Sequence, residues 1–400
     1  MTLDSTEPSI FATRAARVTM VMSALFGTTG VILVFLPRWL EVERSLSGAE
    51  IGVILSLAQF ARILIGPGIA YLADAADDRS APLKVASVIA IAAYAAFFFV
   101  DLGFWPLLAL GFVALTTTQA ITPLIEAATL RATAAGRINY GTARGLGSIA
   151  FIMANVLGGV AISRFGLGAV IVWVLCGLGI TAITAWFGLH RDPAPARPQT
   201  SRWGGVRDLL HNRRFIILIV ACGLIQSAHG FYYNFSTIVW RGQEISPEMV
   251  GVLWAFGVAV EVAFLWSLPS IERRITPEAL ILIGAGAGVA RWLAMGFGPI
   301  GFVLWPLQAL HALTFAAAHV GAMRILYRDT PDHSAAMAQT LYAGMSAGLL
   351  MGAATLISGH LYDLIGAGGY WAMAALAAAG GALALLLVPP DRRRPKATSG

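Results

Sequence analysis

Arg62, Glu126, Arg144, Glu261, Arg291 and His311 stand inside long apolar runs, where charge is rare. A carboxylate or guanidinium turned toward hydrocarbon costs about 2.5–3.5 kcal/mol even on the lenient insertion scale. These side chains are therefore expected to face a bundle interior or a wet cavity, beside partners, as groups on substrate and proton pathways do. Glu126 and Arg144 fall at matching ends of two consecutive runs joined by residues 127–141. Opposite charges at one depth can neutralise each other or trade that partner for a polar substrate. A purely structural ion pair is the competing reading. Glu261, Arg291 and His311 occupy three later runs. A desolvated carboxyl beside a fixed cation can be poised for reversible protonation, and His titrates near neutrality unaided. Glu261, with Arg291 as counter-charge, is thus the candidate proton-coupling centre, and His311 either relays the proton or hydrogen-bonds a substrate. Arg62 and Glu261 are equivalent under the repeat described below, which places them at matching depth.

Aromatic residues add a second set of candidates. His229-Gly-Phe-Tyr232-Tyr233-Asn234 lies in the middle of its run. Such a cluster suits an amphipathic ligand better than lipid, making His229, Tyr232, Tyr233 and Asn234 candidate substrate contacts. Phe151 follows Arg144 by two helical turns on roughly the same face. An anion clamp beside an aromatic platform fits an aromatic acid, and plain core packing explains Phe151 equally well. Trp240 and Trp305 read as interfacial anchors. There is no phosphate loop, no metal-ligand spacing and no Ser/His/Asp set at matching depths, so an enzyme is not expected. Cys176 and Cys222 lie in apolar runs and suggest no disulfide framework.

The elements that must position these groups are membrane helices. The chain is 58% hydrophobic and 12% charged, against about 25% charged in a soluble domain, which excludes an ordinary cytosolic globule. Runs able to cross about 30 Å of hydrocarbon are expected over 18–38, 50–73, 83–101, 104–126, 142–163, 167–189, 215–239, 248–270, 277–297, 300–323, 335–359 and 367–388. Ser47-Gly-Ala-Glu-Ile51-Gly52-Val-Ile-Leu55 recurs as Ser246-Pro-Glu-Met-Val250-Gly251-Val-Leu-Trp254, and Gly159 and Gly166 recur as Gly359 and Gly366. Both islands repeat at an offset of about 200 residues, the trace of two related bundles. The expected fold is an all-α membrane protein of twelve transmembrane helices in two pseudo-symmetric six-helix bundles. These are residues 1–189 and 215–400, with a basic tail on the second and a Pro-rich, basic cytoplasmic linker at 190–214. Asp4 and Glu7 precede a first run that no small-residue cleavage pattern follows, so it is expected to be retained.

The net charge of +6 reads as a topology signal rather than a nucleic-acid surface. Most Lys and Arg fall in alternate loops, leaving Arg38, Arg44, Arg164 and Arg241 on the other side, so both termini are expected in the cytoplasm. Partners are the lipid bilayer, a small-molecule substrate and protons, with no nucleic acid, no cofactor beyond the proton gradient, and a monomeric state.

The order of spans, the central linker and the Asp74 that closes the second span resemble the major facilitator superfamily. More narrowly, several stretches are similar to the phenylpropionate permease family, relatives of oligosaccharide/proton symporters of the lactose permease type. They are Phe35-Leu-Pro-Arg-Trp-Leu40, Leu46-Ser-Gly-Ala-Glu-Ile-Gly52, His229-Gly-Phe-Tyr-Tyr233, Leu253-Trp-Ala-Phe-Gly-Val258 with Glu261, Arg291-Trp292, Gln308-Ala-Leu-His-Ala-Leu-Thr-Phe315 and Leu341-Tyr342. The resemblance places the sugar-binding Glu/Arg pair of that permease on Glu126 and Arg144. It sets the sugar-stacking Trp on Phe151, an amide-bearing position on Gln119, and a functional Arg and His on Arg291 and His311. The permease's proton-carrying glutamate is Thr314 here, and Glu261 lies one turn from its other key carboxylate. In the loop that gates the cytoplasmic side, Ala70 replaces Gly, Asp74 is kept, and Asp77-Asp78-Arg79 replaces a basic run. The resemblance implies an inner-membrane, proton-coupled symporter importing a small organic solute such as a 3-phenylpropionate-like acid by alternating access. Nucleoside or sugar/proton symport and drug/proton efflux are the near alternatives. An intramembrane enzyme or a transport-dead sensor represents a different class.

Overall fold

The computed structural model describes residues 14–75, 78, 80–100, 103–134, 138–189, 206–331 and 334–389. Their regular structure is helical. In chain order come α1 (Arg14–Glu43), α2 (Gly48–Ala75), α3 (Ala81–Phe99), α4 (Phe104–Ala134), α5 (Tyr140–Phe165) and α6 (Gly168–Gly188). After the short α7 (Val206–His211) follow α8 (Arg213–Ser227), α9 (Gly230–Gly242), α10 (Pro247–Glu272) and α11 (Pro277–Gly296). The last are α12 (Leu304–Ala309), α13 (Ala318–Asp329), α14 (Ala335–Ala343), α15 (Met351–Ile365) and α16 (Gly369–Ala384). Ten helical stretches among the described residues are long and apolar enough to cross a bilayer. The longest, Ala335–Leu387, is divided by a 3-10 turn at Gly366–Gly368, and the 28-residue α2 adds another. The fold is therefore the expected all-α architecture of twelve crossings.

Three crossings depart from plain helix. The seventh is interrupted between α8 and α9, where His229 sits. The tenth and eleventh contain π turns at Ala312–Ala317 and Gly344–Leu350. A π turn inserts a residue into the α register and re-aims the side chains on either side of it, which is why such turns cluster at functional positions.

Contacts group the chain into two compact units. The first comprises residues 1–39, 64–197 and 247–252, and the second 40–63, 198–246 and 253–400. In the first unit, Trp39, Tyr94, Phe97 and Phe98 form a buried aromatic cluster, with Trp39 edge-on to Phe98 at 4.9 Å. In the second, Phe215, Leu218, Cys222, Ile225, Ile281, Ile325 and Tyr342 build the core. Both cysteines are free, Cys176 exposed and Cys222 buried. Trp240 is only 1% exposed and meets Tyr232 edge-on at 6.1 Å. It is a packing residue, not the interfacial anchor expected from its place near a span end.

The two islands of the sequence repeat turn out to be contact partners. Within the second unit, the first turns of α2 lie on α15: Gly52 has no Cβ, and one placed there would sit 3.1 Å from Gly359 Cα and 3.2 Å from Thr355 O. Within the first unit, the start of α10 lies on α5 in the same manner, Gly251 against Asn155 O and Gly159 against Pro247 O. Small residues at both crossings let the backbones approach closely.

The start of α2 is also a complete capping box. The Ser47 backbone N–H and hydroxyl both donate to Glu50 Oε2 at 2.9 Å. Asp363 at the end of α15 adds a cap from outside, accepting from Gly48 N at 2.7 Å and Ala49 N at 2.8 Å. A carboxylate there satisfies two orphan donors and sits on the positive end of the helix. Asp363→Ala is expected to cost about 1 kcal/mol, with Asp363→Asn falling between it and wild type. Denaturant unfolding in detergent micelles reads this, and an Ala variant as stable as wild type would show that the cap contributes nothing.

Candidate functional site

Glu126 and Arg144 meet in the first unit. Asn139 caps α5 by accepting from Thr142 N, which fixes the helix start just before Tyr140 and Arg144. Arg144 Nε lies 3.4 Å from Glu126 Oε1, and Tyr140 donates its hydroxyl to Glu126 Oε2 at 2.6 Å. Arg144 Nη1 donates to Ser148 Oγ, and its guanidinium lies 4.4 Å from the centre of the Phe26 ring. Both charged side chains are partly accessible, Arg144 at 40% and Glu126 at 25%. The platform under Arg144 is thus Phe26, not Phe151, which is half-buried in α5. Gln119 is half-buried, and its Oε1 is buried without a hydrogen-bond partner.

Glu261, Arg291 and His311 meet in the second unit, together with His229, Tyr232 and Tyr233. His311 Nε2 lies 3.3 Å from Glu261 Oε2. Arg291 is wholly buried, with Nη1 3.2 Å from both His311 Nδ1 and Thr314 Oγ1 and Nη2 3.1 Å from Gln308 Oε1. The guanidinium packs 4.6 Å from the Tyr232 ring centre and 4.5 Å from that of Trp292. Among the described residues no carboxylate lies within ion-pair distance of it. Tyr232 donates to Gln308 Oε1 at 2.7 Å and stacks on Trp254 at 4.5 Å, and Tyr233 stacks on His229 at 5.4 Å.

Donor rules fix the protons in this network. A guanidinium only donates, so His311 Nδ1 must accept from Arg291. His311 is therefore neutral, and its Nε2–H points at Glu261. At the α8–α9 interruption, His229 Nδ1 lies 3.0 Å from Gln226 O and must donate to that carbonyl. Its Nε2 then accepts the Thr314 hydroxyl proton, 3.0 Å away and closer than the competing His311 carbonyl at 3.3 Å, while Thr314 accepts from Arg291. Thr314 stands on the π turn that follows His311, so one register insertion lets both residues reach the same guanidinium nitrogen.

Asn234 does not join this network. Its Nδ2 donates to Gly230 O at 2.7 Å and Thr355 Oγ1 at 3.1 Å, tying α9 to α15. Arg62 is exposed on α2 and pairs with no carboxylate among the described residues, Glu261 being taken by His311. Asp74 closes α2, and its side chain lies outside the described residues. Below His311, Phe315 and His319 stack in turn at 5.5 and 6.1 Å, and His319 lines an open cavity of about 560 Å³ with Glu272, Arg324 and Tyr327.

Thr314 carries a stability prediction. Thr314→Val keeps the shape but leaves His229 Nε2 and one Arg291 proton unpaired in a buried site, at a cost of about 2 kcal/mol. The exposed Thr340, which bonds only its own helix carbonyl, is the control. Equal unfolding midpoints for Thr314→Val and Thr340→Val would remove the bridging role.

A family model described as the MFS_1 like family matches residues 17–373. The chain belongs to that family. Over 365 residues it is 28% identical to the probable 3-phenylpropionic acid transporter of Escherichia coli strain K12, covering 88% of this chain and 92% of that one. It is 27% identical over 344 residues to the maltose permease of Geobacillus stearothermophilus, covering 85% of each. Among solved structures, the nucleoside transporter NupG aligns with a TM-score of 0.76 at 17% identity, over 93% of this chain and 97% of that one. That last likeness speaks to the fold alone. This MFS_1-like chain is thus a multi-pass membrane transporter of the major facilitator type.

Proposed function

We propose that the protein imports a small aromatic monocarboxylate together with a proton, by alternating access in the inner membrane. The observation that carries this reading is the chain Glu261–His311–Arg291, half-buried at Glu261 and buried at the other two. It joins one carboxylate able to take a proton, one neutral imidazole and one cation that has no carboxylate partner among the described residues, walled by Tyr232, Trp254 and Trp292. Such groups inside a membrane segment mark a proton or substrate pathway. Glu261 takes up the proton, His311 links it to Arg291, and the proton gradient is the only energy source required. The relative named for 3-phenylpropionic acid supports an aromatic acid as substrate. The Lys and Arg distribution supports cytoplasmic termini, and the sequence repeat supports halves at 1–189 and 215–400 joined by 190–214 and moving as bundles. Asp74 is the proposed cytoplasmic gate residue.

The partly exposed Glu126–Arg144 pair beside Phe26, with maltose permease among the relatives, supports sugar import as a second reading. Proteoliposomes decide between them. Influx of labelled 3-phenylpropionate above protein-free vesicles, stimulated by an acid exterior and blocked by an uncoupler, is the expected result. Maltose influx without aromatic-acid influx would replace the first reading by the second.

A further inference from the structure

We infer that Arg291 is the clamp for the substrate's carboxylate, and that its contact with His311 makes binding of that anion conditional on binding a proton. The inference rests on the proposed function and goes beyond it by assigning the anion subsite and the coupling step. It also relocates the anion from Arg144, which already has Glu126 as its partner.

The first support is the state of Arg291. A guanidinium with no exposed surface is held by three neutral acceptors, His311, Thr314 and Gln308, and its Nε has no partner at all. A buried cation whose nearest carboxylate in this cluster, Glu261, is reached only through His311 is costly, and a carboxylate in direct contact matches a guanidinium better than any neutral acceptor does. Two further buried donors of the same cluster, Gln308 Nε2 and Trp254 Nε1, are likewise without acceptors. The wall is donor-rich and aromatic, which suits a carboxylate on a flat apolar body.

The second support is the direction of the hydrogen bonds. While Arg291 donates to His311 Nδ1, that imidazole cannot hold a second proton. A carboxylate that takes Nη1 in place of His311 frees Nδ1. The Glu261–His311 pair can then hold one proton more than before, shared between its two members. The charge count leads to the same conclusion. Arg291 and Glu261 cancel in the empty cluster, one substrate anion leaves it negative in a desolvated place, and one proton restores neutrality. The remaining titratable groups facing His311 among the described residues are His229 at the α8–α9 interruption and Tyr232 and Tyr233 on α9. His319, two turns further on, is within electrostatic reach of Glu261.

The test is calorimetric binding of 3-phenylpropionate and of its neutral amide to the purified full-length protein, in buffers of unlike ionisation enthalpy. Wild type is expected to bind the acid about tenfold or more tightly than the amide. It should take up about one proton per acid bound near neutral pH and none with the amide. Arg291→Lys, which keeps the charge but not the fork, should weaken acid binding about 30-fold while leaving amide binding nearly unchanged. The double variant Glu261→Gln, His311→Gln, which leaves the pair no group able to take the proton, should lose the proton uptake. Retained uptake in that variant would mean that the protein binds the undissociated acid, and it would overturn the coupling. Equal affinity for acid and amide in wild type overturns the clamp, and needs no variant to fold. Loss of acid binding in Arg144→Gln but not in Arg291→Lys overturns it as well, while leaving the proposed function standing. Wild type binding neither probe withdraws both.

Discussion

Glu261→Gln is expected to abolish gradient-driven uptake while sparing exchange of substrate for substrate. The amide carbonyl can still accept from His311 Nε2, so the 3.3 Å contact and the neutral imidazole are preserved. What is lost is the carboxylate beside His311 that binds and releases the proton. A two-unit pH gradient supplies about 2.7 kcal/mol per proton, so a carrier coupled one to one should show an influx-to-efflux ratio of about 100. In Glu261→Gln that ratio should fall to one, with exchange rates within about threefold of wild type because the conformational cycle no longer waits for a proton. Both are read in proteoliposomes after subtracting protein-free vesicles, since an undissociated aromatic acid also leaks through lipid. If the variant keeps a ratio near 100, Glu261 is not on the proton path.

Groups whose presence in hydrocarbon is costly are legible in the sequence, and those whose presence is ordinary are not. A carboxylate or guanidinium in a long apolar run demands a partner, so Glu126 could be matched with Arg144 and Glu261 with His311 before any fold was known, whereas Arg291, expected as the direct counter-charge of Glu261, meets His311, Thr314 and Gln308 instead. Thr314, Gln308, Tyr140 and Phe26 carry no such signal. Thr and Tyr are common in membrane helices, and their membership depends on which way a helix face turns. Tyr140 was the most accessible of them, standing one turn before Arg144 on the same helix. Helix facing also accounts for Asn234. It lies next to Tyr233 in the sequence but two positions from Tyr232, and residues two apart on a helix point in nearly opposite directions. Tyr232 therefore turns to Arg291, whereas Asn234 turns to Thr355. The π turn at Ala312–Ala317 was not legible, because its run of Ala, Leu, Thr and Phe is equally compatible with α-helix. Only the convergence of His311 and Thr314 on one guanidinium gives it a purpose.

The repeat was legible for a reason that leads to the second large effect, a reversal of sign among glycines. In an ordinary exposed stretch of helix, Gly→Ala stabilises by up to about 1 kcal/mol, because alanine loses less backbone freedom on folding. Gly179 and Gly286 have nothing within 4 Å of an added Cβ, so Gly179→Ala and Gly286→Ala should follow that rule. At Gly251 and Gly359 the same methyl would be driven into a backbone carbonyl, of Asn155 in one unit and of Gly48 in the other. Backbone cannot rotate away as a side chain can, so the crossing helices must part and lose the packing on both sides. Gly251→Ala and Gly359→Ala are accordingly expected to destabilise by about 1–3 kcal/mol, and the Val substitutions by more. The two should behave alike although they lie in different units and on opposite partners of the crossing, Gly251 being the copy of Gly52 and Gly359 that of Gly159, since each stands in one of two repeat-related close crossings. Unfolding midpoints in one detergent, read for all four alanine variants, test this. Stabilisation at Gly251 or Gly359 would mean that the repeated glycines mark no close approach, and that their recurrence has another cause.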